Sequence, residues 1–539
     1  MTNHILPARG LSRRRADQLM DNKLEGYQKI VGNYSQYPGE AGFPQGVCPE
    51  HALPAGMQPL PGYTEPASDN YGNYKFREGS VMCYHPVTWC KVGDGTNGLA
   101  VNEHDVKPYN HFSSAAEAAS DGYWIDEVFW DGGELKLGVV VDKYLCSKNA
   151  WGAGYVASSL ANGKPISTHA DHTPIADLTA CSGNYYYEAI NAAHARDGVD
   201  GAVNPSSIFF ANARKIQAYL NFCAVAHGQA SLNSTNCAWF DETGVTNYPK
   251  GCNDNAMGDV DDGTVSFTTD GYSNCARTGS CVPFAKTTHN GQACGVADVN
   301  GLMYEIALGV TCIATAKSIT GVLKADPCQL TVPAHGQVTG DLAMITSVGG
   351  TTELNDRIYQ VTRVDDDTVT LDGVDATGFT DFTTGGTITF GKFYKAKTSV
   401  SMKDFTAGAS GVTDHWGAAG VAAMMDEFDM VFETRYPDNT FSLRLGDGAN
   451  QVLSSDPDGN GAVLRSLGIP LNADGISDAG SNLYGQDYSY QYIRDQLCLR
   501  WSGSWGASSG SGPGAVYWSS VRTRSSASVS FRCACYSEE

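Results

Sequence analysis

Apolar residues recur near helical spacing across Ser207–Gln229, where Ala213, Ile216, Ala218, Leu220, Phe222 and Cys223 gather towards one face and predict an amphipathic helix. Glu134–Ser147, ELKLGVVVDKYLCS, reads instead as a strand with a turn. Between Ile313 and Phe390 the texture changes to short alternating segments separated by Gly and Asp turns. There Ile358, Gln360, Thr362 and Val364 fall on one face of a strand and Tyr359, Val361 and Arg363 on the other. A helix-like apolar run returns in His415–Tyr436, and Gly446–Gly480 is a long loop rich in Gly, Asp and Asn. At the other end, Ser12 can cap a short helix from Arg13 to Gln28, with Ala16, Leu19, Met20, Leu24 and Tyr27 near one face. Tyr34–Tyr74 follows, rich in Pro, Gly and Tyr. Such a run favours extended chain with few ladder bonds and suits a linker or an arm that lies across a partner, with a frayed terminus as the alternative.

The last stretch departs from all of these patterns. Cys498–Tyr536 is built largely of Ser, Gly, Ala, Thr, Arg and Tyr, interrupted by Trp501, Trp505 and Trp518 and closed by Val529, Phe531 and Cys533. Tyr contributes contact area at low entropy cost, and Ser and Gly contribute adaptable hydrogen bonding, which suits a surface that recognises shape. A disordered tail would not hold large aromatics at intervals.

Gly503-Ser504-Trp505 and, after VYWSSVRTRSSASV, the segment Ser530-Phe531-Arg532-Cys533-Ala534 resemble the variable region of C-type-lectin-fold proteins diversified by retroelements, a family that includes phage tropism determinants. Three earlier segments resemble the wider family that joins those proteins to the formylglycine-generating enzymes. They are Val141-Asp142-Lys143-Tyr144, then Ala218-Tyr219-Leu220 with Phe222-Cys223, then GVADVNGLMYEI over Gly295–Ile306. The last keeps Asp298, Gly301 and Glu305 but has Leu302 and Tyr304 where the family usually has Asn and Trp. Thr331–Gly336, Leu354–Val361 and Leu371–Phe379 resemble a small β-barrel module of phage tail proteins. The resemblance implies an α+β chain with a C-type-lectin-like fold, an inserted small β-barrel domain and an extended N-terminal arm. The expected boundaries are 1–75 for the arm, 76–312 and 396–539 for the two parts of the lectin-like domain, 313–395 for the insert, and 498–536 for the variable region.

The same resemblance implies a receptor-binding virion protein, trimeric, made in the host cytoplasm and attached to other virion proteins through its arm. Its ligand would be a protein or glycan on the host surface. Contact residues are expected at Trp505, Tyr517, Trp518, Arg522 and Arg524. Ser508, Ser509, Ser519, Ser520, Ser525, Ser526 and Ser528 lie between them, while core packing is the expectation for Trp501 and the competing one for Trp505. A structural virion component, such as a fibre, baseplate or decoration protein, is the alternative. The related oxidases carry a reactive cysteine pair between the GSW-like and closing segments, and Ser502–Ser530 contains no Cys, so copper-dependent catalysis is not expected.

Composition adjusts this picture at three points. The 539 residues suffice for roughly three to four domains. A net charge of −22 argues against nucleic acid as a partner. Arg494–Tyr536 is by contrast a less acidic patch, with Arg500, Arg522, Arg524 and Arg532 against Asp495. Met1–Arg15 lacks the apolar run of a secretory signal, and no stretch is long and apolar enough for membrane insertion, so the 16 cysteines are expected to begin reduced. Cys83 with Cys90, and Cys275 with Cys281, are candidate pairs for later oxidation. Asp456, Asp458 and Asn460 sit at alternate positions before Gly461, like the first half of a calcium loop, but Leu467 stands where the closing Glu belongs. The segment reads as a solvated turn, with a structural calcium as the alternative. Asp259, Asp261 and Asp262 form a weaker version, and His169, Asp171 and His172 read as a polar loop with a zinc-like composition. The resemblance predicts, in the genome, a near-copy of the coding sequence for residues 498–536 that differs mainly at adenines and lies beside a reverse transcriptase. Its absence would leave a binder that does not diversify.

Overall fold

The computed structural model describes residues 35–93, 95–100, 103–198, 201–230, 251–260, 262–407, 418–430, 442–444, 488–512 and 514–538. The β-branched run of Gly138–Asp142 is buried on both faces, which makes it a central strand. It pairs antiparallel with Val81–Pro86 on one side and Cys533–Tyr536 on the other. Met57–Pro59, Asn73–Phe76 and Phe210–Ala211 complete a six-stranded sheet among the described residues. The helix Arg214–Ala230 packs beside it, burying Ile216, Tyr219, Leu220 and Cys223. The architecture is α+β, mostly strand.

A second, mixed sheet runs in the order Ser442–Arg444, Tyr488–Gln491, Val516–Val521, Leu497–Trp501, Tyr304–Ala307, Val529–Ser530. Within it Val529–Ser530 lies parallel to Tyr304–Ala307. A third sheet rises from the body on a long antiparallel pair, Val310–Ser318 against Thr387–Ala396. Between them, Leu342–Thr346, Arg357–Arg363 and Thr368–Leu371 enclose a separate apolar core containing Leu330, Ile345, Tyr359, Val361 and Phe390. The strand order of this module is an open path, so the expected small barrel is an open sheet among the described residues.

The expected N-terminal arm is also revised. Residues 1–34, including the helix from Arg13, lie outside the described residues. From Ser35 on, the chain is part of the body: Phe43 is fully buried, Asn290 Nδ2 donates to its carbonyl at 2.7 Å, and Gly46 N–H reaches the Tyr84 carbonyl at 3.2 Å. Residues 57–59 and 73–76 are strands of the main sheet, so 35–75 is committed to the fold rather than free to lie on a partner.

The segments singled out in the sequence converge on one buried network of charges. Arg532 donates from Nε and Nη2 to the two Glu305 carboxylate oxygens, at 2.7 and 2.9 Å, and from Nη1 to the Lys143 carbonyl at 2.9 Å. Asp142 accepts two bonds from Arg196, at 2.6 and 2.7 Å, and one from the Cys533 amide at 2.8 Å. Lys143 turns the other way and ties Asn73 Oδ1 and the Ala293 carbonyl, both at 2.7 Å. Asp298 accepts the Gly279 amide at 2.7 Å, and burial pushes its carboxyl up to about 6. Gly301 has φ +93°, and a Cβ there would lie 2.5 Å from the Cys252 carbonyl oxygen, so the turn requires glycine. Leu302 follows at φ +61°, a conformation that Asn adopts more readily than Leu. Its compensation is burial against Cys252, Cys275 and Trp505.

All described cysteines are free. Cys83 donates to the Cys294 carbonyl, and Cys281 to that of Pro283, so neither expected pair is bridged. Cys146 and Cys533 instead approach each other, with Sγ atoms 3.8 Å apart.

Two predictions follow from the buried polar groups. Arg532→Met leaves Glu305 buried without its cation, and the loss of stability in urea denaturation is expected to be about 3–5 kcal/mol. His85 is fully buried, and desolvation pushes its pKa down to about 3. The unfolded chain takes up this proton near pH 6.5, so the contribution is complete above that pH and is lost as pH falls, by about 1.4 kcal/mol per unit. Asp298 acts oppositely between about 6 and 3.8, because the folded state takes up its proton first. His85→Phe is therefore the informative comparison: urea midpoints measured from pH 7 to 4 should fall less steeply than in the wild type.

Candidate functional site

The terminal stretch divides into a frame and a display. Leu497–Trp501 and Val516–Val521 pair antiparallel, with a register shift between Cys498 and Arg500, and Cys533–Tyr536 closes the stretch inside the main sheet. Trp501 and Trp518 are fully buried; Trp518 packs near Phe393 of the inserted module, with ring centroids 6.3 Å apart. Tyr517 is 4% exposed and lies between Tyr304 and Tyr490, with the Arg500 guanidinium 5.0 Å from its ring centroid. Ser520 is fully buried. Arg522 is buried as well, donating to Gln496 Oε1 at 2.9 Å. Trp505, at 9%, meets the His172 and Tyr272 rings edge-on. These six side chains are framework, so the expectation that Trp505, Tyr517, Trp518, Ser520 and Arg522 present themselves to a ligand is corrected. In the strand Val516–Val521 the side chains of both faces are mostly buried, Tyr517 beside Tyr304 and Tyr490 and Trp518 beside Phe393, so little of either face is left for display.

What is exposed is the connection between Val521 and Val529. Thr523, Arg524 and Ser525 are exposed, and Ser526, Ala527 and Ser528 are half-buried. Ser508 is exposed in the short turn Ser508–Gly510, and Ser519 is half-buried with its carbonyl held by Arg494 at 2.6 Å. Ser509 lies in that turn, with its side chain outside the described residues. Of the arginines in the patch, Arg524 is the exposed one; Arg500 and Arg494 are half-buried, and Arg532 is fully buried.

The exposed connection is held from below by a loop that sequence reasoning did not connect with it. Thr168 donates its amide to the Val529 carbonyl at 3.2 Å, and its Oγ1 both accepts the Ser526 amide at 3.1 Å and donates to the Ser526 carbonyl at 3.2 Å. Ser525 Oγ donates back to the Thr168 carbonyl. His172, 2% exposed, bonds the Ala527 carbonyl through Nδ1 at 2.6 Å. His169 and Asp171 stay outside as an exposed pair 3.6 Å apart, so the trio with zinc-like composition is not one site. Beside the connection stand Tyr185, 40% exposed, and Tyr187, stacked on it at 5.4 Å and 18°. The Tyr187 amide donates to the Arg522 carbonyl at 3.3 Å, and the Arg522 guanidinium lies 5.9 Å from the Tyr187 ring centroid. The run Tyr185-Tyr186-Tyr187 was the available signal: three consecutive aromatics on a polar background seldom all find room in a core. Tyr186 does, and its neighbours do not.

Of the metal candidates, Asp456, Asp458 and Asn460 lie outside the described residues, as does Asp261. Asp259 accepts the Gly251 amide at 2.9 Å and Asp262 the Thr264 amide at 2.9 Å, which makes both of them turn-forming carboxylates. Among the described residues no helix is long and apolar enough to cross a membrane. No protein-family model matches the chain, and no curated protein matches it either.

Thr168→Val tests the clamp. It keeps the shape of residue 168 and the bond from the Ser526 amide to the Thr168 carbonyl at 3.2 Å, but removes the hydroxyl that donates to the Ser526 carbonyl, at a cost of about 0.5–1.5 kcal/mol to the ordering of that segment. Hydrogen exchange is expected to speed up at residues 525–528 while the urea midpoint of the whole protein changes little.

Proposed function

We propose that this chain is a phage virion protein with a C-type-lectin-like fold that attaches the particle to a host-surface ligand. The observation that carries the reading is the Thr523–Ser528 connection. It is short, free of acidic residues on a chain of net charge −22, rich in Ser with one exposed Arg, and tied by hydrogen bonds to a buried frame. Recognition needs versatile side chains on a backbone that does not move, and this segment supplies both. The Tyr185–Tyr187 stack adds a rigid aromatic neighbour on the same side, which extends the ligand face beyond the stretch 498–536. In this reading the protein assembles as a trimer, which multiplies weak single contacts into avidity. Attachment to other virion proteins falls to residues 1–34, and neither nucleic acid nor a bilayer is engaged.

A second reading, a structural virion component, draws on the burial of Tyr517, Trp518, Ser520 and Arg522, which makes most of the terminal stretch scaffold. The two part at the exposed residues. Arg524→Glu and Tyr185→Ala should each leave particle assembly and protein stability unchanged while host adsorption falls at least about tenfold, the equivalent of about 1.4 kcal/mol per contact. Normal adsorption by well-formed particles carrying both substitutions would contradict receptor binding and favour the structural reading.

A further inference from the structure

Beneath the exposed connection, three side chains from two distant loops meet in one buried place. His172 Nε2 lies 2.6 Å from Asp270 Oδ2, and Cys275 Sγ is within 4.8 Å of both ligand atoms. All three residues are buried. The imidazole is stacked on Tyr272 at 4.2 Å and 10° and walled by Trp505. Cys252 belongs to the same apolar cluster as Cys275.

We propose that His172, Asp270 and Cys275 form a zinc site. Imidazole nitrogen, carboxylate oxygen and thiolate sulfur together are a set that zinc accepts and that calcium and magnesium do not, because the sulfur is too soft for them. The outer shell is already in place. His172 gives its Nδ1 proton to the Ala527 carbonyl, which leaves Nε2 as the atom facing Asp270, and ligating histidines are oriented in this way by a second hydrogen bond. Charge also balances. Neutral imidazole, carboxylate and thiolate together compensate the two charges of Zn²⁺. The ion would stand between Nε2 and Oδ2, and the two atoms part to roughly 3 Å to accommodate bonds of about 2.0–2.2 Å.

The second group of this kind, Asp142 with Cys146 and Cys533, is a useful contrast. There Arg196 already holds both carboxylate oxygens, and its Nη2 also lies 3.3 Å from Cys146 Sγ, so a fixed cation occupies the place of a metal. At the His172 cluster the neighbours of the buried Cys275 thiol are the carboxyl groups of Asp270 and Asp298 and the neutral thiol of Cys252. Zinc at this position would link the loops carrying His172 and Asp270 and, through Nδ1, hold the Ala527 carbonyl of the display segment.

The test is metal retention by the purified full-length chain. After chelator treatment and incubation with Zn²⁺, wild type and the control Cys281→Ser should each retain one equivalent more than Cys275→Ser through desalting, measured by elemental analysis. Binding should release protons, read as a dependence of the calorimetric signal on buffer. Substituting Co²⁺ should produce a thiolate-to-metal absorption band in wild type that Cys275→Ser lacks. Should Cys275→Ser fail to fold, the wild-type cobalt spectrum decides. Absence of the thiolate band, or equal retention by a folded Cys275→Ser protein, would overturn the proposal.

Discussion

Arg532 and Glu305 face each other in the interior with neither side chain exposed, and most of the described body is arranged around that pair. A buried bidentate pair gains little over a well-packed apolar one, but the loss of either partner strands a charge where water cannot reach it. Its value is therefore in specification. Glu305 fixes the Tyr304–Ala307 strand, Arg532 fixes the residue that precedes the closing strand, and the remaining guanidinium protons tie the carbonyls of Asp142, Lys143 and Ala297. Four segments spread over almost four hundred positions are brought to one point by a single guanidinium.

That point determines what the terminal stretch is able to do. With Leu497–Trp501, Val516–Val521 and Cys533–Tyr536 all locked into sheets, the longer exposed run among the described residues of the terminal stretch is the connection from Thr523 to Ser528, beside the shorter turn around Gly506 and Ser508. The Thr168 and His172 clamp keeps this connection from behaving as an ordinary mobile loop. A pre-ordered loop binds with less entropic loss than one that must order on contact. The arginines divide along the same line: Arg500, Arg522 and Arg532 hold the frame, and Arg524 is left to face solvent.

Much of this was legible in local pattern. The helix over Arg214–Ala230 and the strand Gly138–Asp142 follow from spacing and from β-branched runs, and the strand Arg357–Arg363 from its alternation. Asp142, Asp298, Glu305 and Arg532 stood out by their motifs, although what they do for one another is a matter of three-dimensional contact. The misreadings have a common cause. Tyr517, Trp518 and Arg522 look like a recognition surface by composition, but composition does not say which strand is covered on both faces. Likewise the proline-rich residues 35–75 look like a free arm until the sheet that receives residues 57–59 and 73–76 is known. Thr168 and Asp270 were invisible for the opposite reason, and His172 stood out only beside His169 and Asp171, which are not its partners: each of the three acts across more than ninety positions of chain.

Under the proposed receptor-binding function, ligand contact is confined to the clamped connection and its aromatic neighbour, on a frame that does not change. Hydrogen exchange of the intact protein, with and without fragments of the host envelope, tests it most directly. The account predicts slower exchange at residues 523–528 and 184–187 on addition of the envelope, with no change in the strands that carry Glu305 and in Cys533–Tyr536. Protection elsewhere, or none at the connection under conditions where the particle adsorbs, would contradict it.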